Sequence, residues 1–287
     1  MSAHRYRVVD VFTQTPLEGN ALAVFPDGST LDPRTMQKIA KELNLSETVF
    51  ILPATRREAA AKLKIFTPTY EMEFAGHPTI GASYVVLQEG IVAKDAANFL
   101  LEENIGLVPI RVEANQRIWL TTPTIQLQQT VDRALCARVL GLQLEDLLAP
   151  TPQVLTAGNP TIFIPLKNKE AVDRAWLDRS GAVELRGPDE RPLCVFIFTP
   201  TPEGAYSRMF APEHGVVEDP ATGSSTGPLA AYMRRAGLTT ARQFISEQGT
   251  KMGRRSLLHV EVHGKEADET IDVGGYVTPL VEATMTL

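Results

Sequence analysis

The chain is expected to fold as an α+β protein of two pseudo-symmetric domains, each a strongly curved mixed sheet around one central helix. Three observations carry that expectation: an ordered internal repeat, an excess of strand-like runs over helical ones, and one apolar helix-like stretch in each half. The repeat opens with Gly19-Asn20 before the apolar run Ala21-Leu22-Ala23-Val24-Phe25, answered by Gly158-Asn159 before Pro160-Thr161-Ile162-Phe163-Ile164. A helical pattern follows each. In the first half Asp32 is placed to cap a helix with Pro33 at its first position, and Met36, Ile39, Ala40 and Leu43 form its apolar stripe. In the second, Asn168 precedes a shorter stripe of Ala171, Ala175 and Trp176.

Strand-like runs come next, over residues 48–52 and 193–199. Phe66-Thr67-Pro68 is then answered by Phe210-Ala211-Pro212, and Gly76-His77 by Gly223-Ser224, each pair of glycine and polar residue leading into a central helix (residues 79–88 and 227–236). Glu102 to Gly106 is answered by Glu247 to Gly249. The matched positions lie 139, 144 and 147 residues apart for the Gly-Asn, Phe-x-Pro and glycine pairs, so the order is kept and the offset drifts little. One match is chance; five in register indicate a duplicated unit. The expected domains are residues 1–124 and 125–274, with a linker in the Pro- and Thr-rich stretch 121–130 and a ligand cleft between them.

At 287 residues the chain is long enough for two ordinary domains, each with its own core. Apolar residues at 44% and charged residues at 22% are those of a globular protein rather than a disordered one. A net charge of −6 with no Lys/Arg run argues against nucleic acid as partner. No uncharged stretch reaches the ~18 apolar residues that a membrane helix needs, and the amino terminus lacks an apolar signal core. Cys136 and Cys194 are far apart, in no C-x-x-C spacing and among apolar neighbours, which suits two reduced, buried thiols. A cytoplasmic protein is expected.

Three segments stand out for chemistry, two of them combining glycine, a polar or titratable group and a helix start. In Asn44-Leu45-Ser46-Glu47-Thr48, Glu47 sits at a helix–strand junction between apolar residues, where desolvation can raise a carboxyl pKa into the range for both taking and giving a proton. From spacing alone it reads as readily as a solvent-facing junction residue. In Phe74-Ala75-Gly76-His77-Pro78-Thr79, Gly76 permits close backbone approach and Pro78 suits a helix opening, so the N–H groups and the dipole there favour a carboxylate. His77 could donate or relay a proton at that spot, or be a core histidine satisfying backbone groups. In Val217 to Gly227, Asp219 could orient an amine or hydroxyl while Gly223 and Ser224 offer N–H groups; a helix start merely capped by its own Ser and Thr is the other reading. His259 and His263 flank Glu261 with strand alternation and read as one face of an exposed strand, so no metal site is expected.

Gly223-Ser224-Ser225-Thr226-Gly227 formally matches the G-x-S-x-G elbow of serine hydrolases, the main rival from another class. The elbow needs an apolar strand running into the serine, and Glu218-Asp219-Pro220-Ala221-Thr222 is a poor one. Neither G-x-G-x-x-G nor G-x-x-x-x-G-K-[ST] occurs, so no nucleotide cofactor is expected. A non-catalytic small-molecule-binding protein remains a third possibility.

Val9-Asp10-Val11-Phe12 with Leu17-Glu18-Gly19-Asn20, Asn44-Leu45-Ser46-Glu47, Phe74 to Pro78, and Gly215 to Ser224 together resemble the PhzF-like family of phenazine biosynthesis, in order from residue 9 to the carboxyl terminus. The resemblance implies the diaminopimelate-epimerase type of fold, commonly a homodimer, with the last strand (about 275–287) crossing back to the first domain. It implies a cofactor-independent isomerase that moves a proton on a small cyclic or amino carboxylate, similar to trans-2,3-dihydro-3-hydroxyanthranilate isomerase. Carried over by position, Glu47 is the acid–base, His77 and Asp219 complete the catalytic set, and Gly76, Gly158, Gly223 and Ser224 contact substrate. Epimerases sharing that fold use two cysteines, where this chain has Ala75 and Thr222, which excludes a two-thiol racemisation. Ser225, Thr226 and Pro220 depart from the family's smaller residues and leave the particular substrate open.

Overall fold

The computed structural model describes residues 2–187, 190–264 and 268–287. The chain divides into two compact units, residues 1–121 with 272–287 and residues 122–271. The first holds β1 (Ala3–Val11), β2 (Asn20–Phe25), α1 (Pro33–Leu43), β3 (Glu47–Leu52), β4 (Ala61–Phe66), β5 (Glu71–Met72), α2 (Gly76–Gln88), β6 (Asn98–Glu103), β7 (Gly106–Val112) and β8 (Ile118–Thr121). The second holds β9 (Gln126–Thr130), α3 (Arg133–Val139), β10 (Gln153–Thr156), β11 (Thr161–Pro165), α4 (Lys169–Arg174), α5 (Arg179–Glu184), β12 (Cys194–Thr201), β13 (Gly204–Ala211), β14 (Val216–Asp219), α6 (Gly223–Arg235), β15 (Gln243–Gln248) and β16 (Ser256–His263). The chain returns through β17 (Thr270–Gly275) to β18 (Val277–Thr286).

Each unit follows one pairing scheme. In the first, β1–β2 is antiparallel, β2–β3 parallel, β3–β4 antiparallel and β4–β6 parallel. In the second, β10–β11, β11–β12, β12–β13 and β13–β15 repeat that sequence of directions. A parallel pair needs a crossover, and α2 and α6 supply it at matching places, between β4 and β6 and between β13 and β15. The long last strand β18 pairs with β1, and Asp272 to Gly275 pair with β8, closing the first unit with the carboxyl-terminal end of the chain.

Alternation along the strands covers both sheet faces. In β11 and β12, Ile162, Ile164, Val195 and Ile197 join a cluster with α3, α4 and α5 through Cys136, Leu140, Ala171 and Ala182. Phe163, Phe196 and Phe198 turn to the other face and pack on Leu229, Ala230, Tyr232 and Met233 of α6. Such two-sided burial explains the continuous apolar runs. In the first unit, Met36, Ile39 and Ala40 of α1 pack on Phe25, Phe50 and Phe66. Tyr6, Phe25 and Phe50 stack in series at 5.2 and 4.8 Å, each pair adding about 1 kcal/mol beyond area burial. The opposite face carries α2, which is buried on nearly all sides and touches β1, β2, β3, β4, β8 and β18. Gly81 makes this enclosure possible: a Cβ there would come within 2.5 Å of Leu22 and 2.9 Å of Val11.

Several sequence expectations are corrected. Both central helices start earlier than their apolar periodicity suggests, α2 at Gly76 and α6 at Gly223, because the small and polar residues of the first turn are themselves helical. The stretch 121–130 contains a strand, β9, paired with β10; its residues are all exposed, so it carries no apolar alternation to reveal it. The stripe after Asn168 ends early. Ala171 and Ala175 are buried, but Trp176 lies beyond α4 and is 55% exposed. Asp32 caps α1 as expected, with Pro33 at its first position. His259, Glu261 and His263 share one face of β16, half-buried to exposed. No helix of the described residues is long and apolar enough to cross a membrane.

Candidate active site

The start of α2 gathers three polar side chains from three elements of the first unit. Ala75, in extended conformation, is the N-cap and offers no side chain to the helix. The next residue but one, His77, is 4% exposed. Its Nδ1 lies 3.2 Å from Nδ2 of Asn20, the first residue of β2. Its Nε2 lies 3.2 Å from Oε2 of Glu47, the first residue of β3. Parallel pairing sets Leu22 opposite Glu47, which brings the leading ends of β2 and β3 to the same end of the sheet.

The Asn20 amide nitrogen can only donate, so His77 Nδ1 accepts and the ring proton is assigned to Nε2, facing Glu47. Burial pushes the His77 pKa down to about 3, so the ring is neutral and its approach to Glu47 is not an ion pair. The contact is close enough for proton exchange but poorly aligned, and Nε2 makes no full hydrogen bond. A buried N–H donor is thus kept beside a carboxylate. No acidic residue occupies the first turn of α2, the place where helices ordinarily favour one.

The start of α6 is built on the same plan with other groups. Ser224 Oγ accepts a long, 3.5 Å contact from Asn159 Nδ2. Asn159 follows Gly158, whose φ of +114° is open to glycine and strained for other residues. Asp219, the last residue of β14, is 6% exposed and accepts from the Thr222 hydroxyl at 2.5 Å. Gln248 holds this corner, donating to the Asp219 carbonyl at 2.8 Å and to Thr222 Oγ1 at 3.0 Å while accepting from the Thr222 N–H at 3.1 Å. This helix, too, has no acid in its first turn.

Of the residues expected from sequence, Glu47, His77 and Gly76 come together in the first unit, and Asp219, Gly223 and Ser224 in the second, with Gly158 beside Asn159. Asn20, Asn159, Thr222 and Gln248 were missed as site residues. The Gly-Asn pairs that open the repeat contained the signal for the first two, since both asparagines reach the second residue of a central helix. The hydrolase elbow is not formed: Ser225 is 1% exposed and bonded at 2.9 Å to Thr161, which donates to the Asn159 carbonyl. Among the described residues neither Ser224 nor Ser225 has a histidine partner. Cys136 lies in the outer cluster of the second unit, and burial raises its pKa to about 12.

The family model described as phenazine biosynthesis-like protein, PhzC-PhzF, matches residues 9–283. The chain belongs to this family. An uncharacterized isomerase of Mesorhizobium japonicum is 35% identical over 99% of both chains. The trans-2,3-dihydro-3-hydroxyanthranilate isomerase of Pseudomonas aeruginosa is 32% identical over 95% of both. Among solved structures, a predicted epimerase from Pseudomonas aeruginosa is 32% identical with a TM-score of 0.83 over 99% of both chains. A hydroxyproline epimerase from Agrobacterium vitis shares the fold alone, at 13% identity, TM-score 0.67, over 99% of this chain and 93% of that one. The fold is therefore α+β of the diaminopimelate-epimerase type, and the PhzF-like chain is an isomerase of a small molecule.

Proposed function

We propose that this isomerase shifts a proton on a small cyclic or amino carboxylate without a cofactor, with Glu47 as acid–base. The carrying observation is the 3.2 Å approach of a neutral, buried His77 N–H to the Glu47 carboxylate at the start of a helix whose own first turn contains no acidic residue. Glu47 takes a C–H proton to become a carboxylic acid, leaving a delocalised anion on the substrate. It then returns the proton to another carbon of the same conjugated system, so the reaction is an isomerisation with no net gain or loss. Preorganised donors that meet the developing charge supply the larger share of such catalysis. His77 Nε2–H and the first-turn N–H groups of α2 are donors of this kind. In the second unit, Asp219, Gly158, Gly223 and Ser224 are assigned to binding amino, hydroxyl or carboxylate groups.

The trans-2,3-dihydro-3-hydroxyanthranilate named for relatives 32% and 33% identical is the first substrate to try. We further infer a cytoplasmic homodimer, on the family resemblance. The deciding experiment is turnover in heavy water: the wild type incorporates deuterium at the newly protonated carbon as Glu47 exchanges with solvent, and Glu47→Gln incorporates none. Near-normal turnover by Glu47→Gln would shift the acid–base role to His77.

A further inference from the structure

Behind the start of α2 lies a second carboxyl that the proton shift does not use. Glu103, the last residue of β6, is 4% exposed. It accepts from the N–H of Ala75, the N-cap of α2, and its Oε1 lies 2.5 Å from the hydroxyl of Thr79. That same hydroxyl lies 2.7 Å from the carbonyl oxygen of Ala75. One hydroxyl proton therefore faces two acceptors, and an ionised Glu103 would leave one short O···O contact with no hydrogen in it. A proton on Oε1 resolves the conflict: Glu103 donates to Thr79 Oγ1, and Thr79 donates to Ala75 O.

Other features agree. Glu103 Oε2 is buried with no donor, a heavy cost for a carboxylate and a lighter one for the carbonyl oxygen of an acid. Among the described residues no cation offsets the burial. The adjacent Glu102 is bonded instead to Thr55, Arg56 and Lys62. On β5 and the turn after β6, Glu71 is paired with Lys64 and Asn104. On α2, His77 is neutral. The second unit performs the same task with a neutral group: Gln248, the last residue of β15, accepts from the N–H of the N-cap Thr222. We infer that Glu103 stands in the folded protein as an uncharged carboxylic acid whose proton ties β6 to the start of α2, making it the positioning residue for His77. Burial places its pKa at about 8, so the tie loosens as pH rises past that value.

The test needs no substrate and so stands or falls apart from the isomerase reading. Infrared spectra of the folded wild type at pH 7 are expected to show a carboxylic-acid C=O band that fades with a midpoint near pH 8 and is missing in Glu103→Gln. The His77 ring resonance in nitrogen-15 spectra, identified by its loss in His77→Asn, should shift over the same pH range in the wild type and stay fixed in Glu103→Gln. Absence of the infrared band in the wild type, a measurement that no variant's folding can obscure, overturns the proton assignment. A band that titrates while the His77 resonance does not respond overturns the positioning role.

Discussion

The start of α2 and the start of α6 occupy the same place in a duplicated scheme and have been filled with different chemistry. Asn20 meets His77 in one, and Asn159 meets Ser224 in the other. The N-caps are Ala75 and Thr222; the strand residues that hold them are Glu103 and Gln248. Leu22 is paired with Glu47 where its counterpart Thr161 is paired with Cys194. The start of α2 thus gathers titratable side chains, His77, Glu47 and Glu103, while the start of α6 holds hydroxyls, two amides and one carboxyl group, Asp219. The frame fixes where polar groups stand, and residue identity at a handful of frame positions decides which groups those are.

That division can be broken most severely at Glu47. Glu47→Gln keeps the shape and should lower turnover at least ~10²-fold, the usual scale for losing a general acid–base, with an unfolding midpoint near that of the wild type. No such loss is expected from Cys194→Ser at the matching position in the second unit; equal losses from both would end the comparison.

Acid stability sharpens it next. The folded pKa of His77, about 3, lies below its unfolded value, so between roughly pH 3 and 6.5 the unfolded chain binds a proton that the folded chain does not. Stability should therefore fall as pH drops through that window. In His77→Asn the slope of melting temperature against pH should flatten there, whereas Ser224→Ala leaves it unchanged.

Smaller effects separate positioning from binding. Asn20→Ala removes the donor that sets the His77 ring, a hydrogen bond worth ~1 kcal/mol, and should lower kcat by about fivefold. Asn159→Ala should raise KM and spare kcat. Ser224→Ala should raise KM only a few-fold, because the backbone N–H stays, and a fluorophosphonate probe should label neither Ser224 nor Ser225. Ser225→Ala should act on stability alone, by ~1 kcal/mol for its bond to Thr161.

The sequence by itself determined the α+β class, the duplicated order of elements and which residues flank the glycines of the helix starts. These are local or periodic properties: apolar runs sufficient to bury both faces of a strand, an Asp-Pro cap, a glycine where φ is positive or space is short. It also singled out His77, Asp219 and Ser224, which stand beside glycine or proline in short motifs, and Glu47 at a helix–strand junction. What only the tertiary structure decided is partnership. Asn20 lies 57 residues from His77, and Gln248 lies 26 from Thr222; no window of sequence joins them until parallel strand pairing brings their elements to one end of a sheet. The neutrality of His77 is likewise a tertiary property, since it follows from a ring closed off from water, and burial is set by packing rather than by neighbours in the chain.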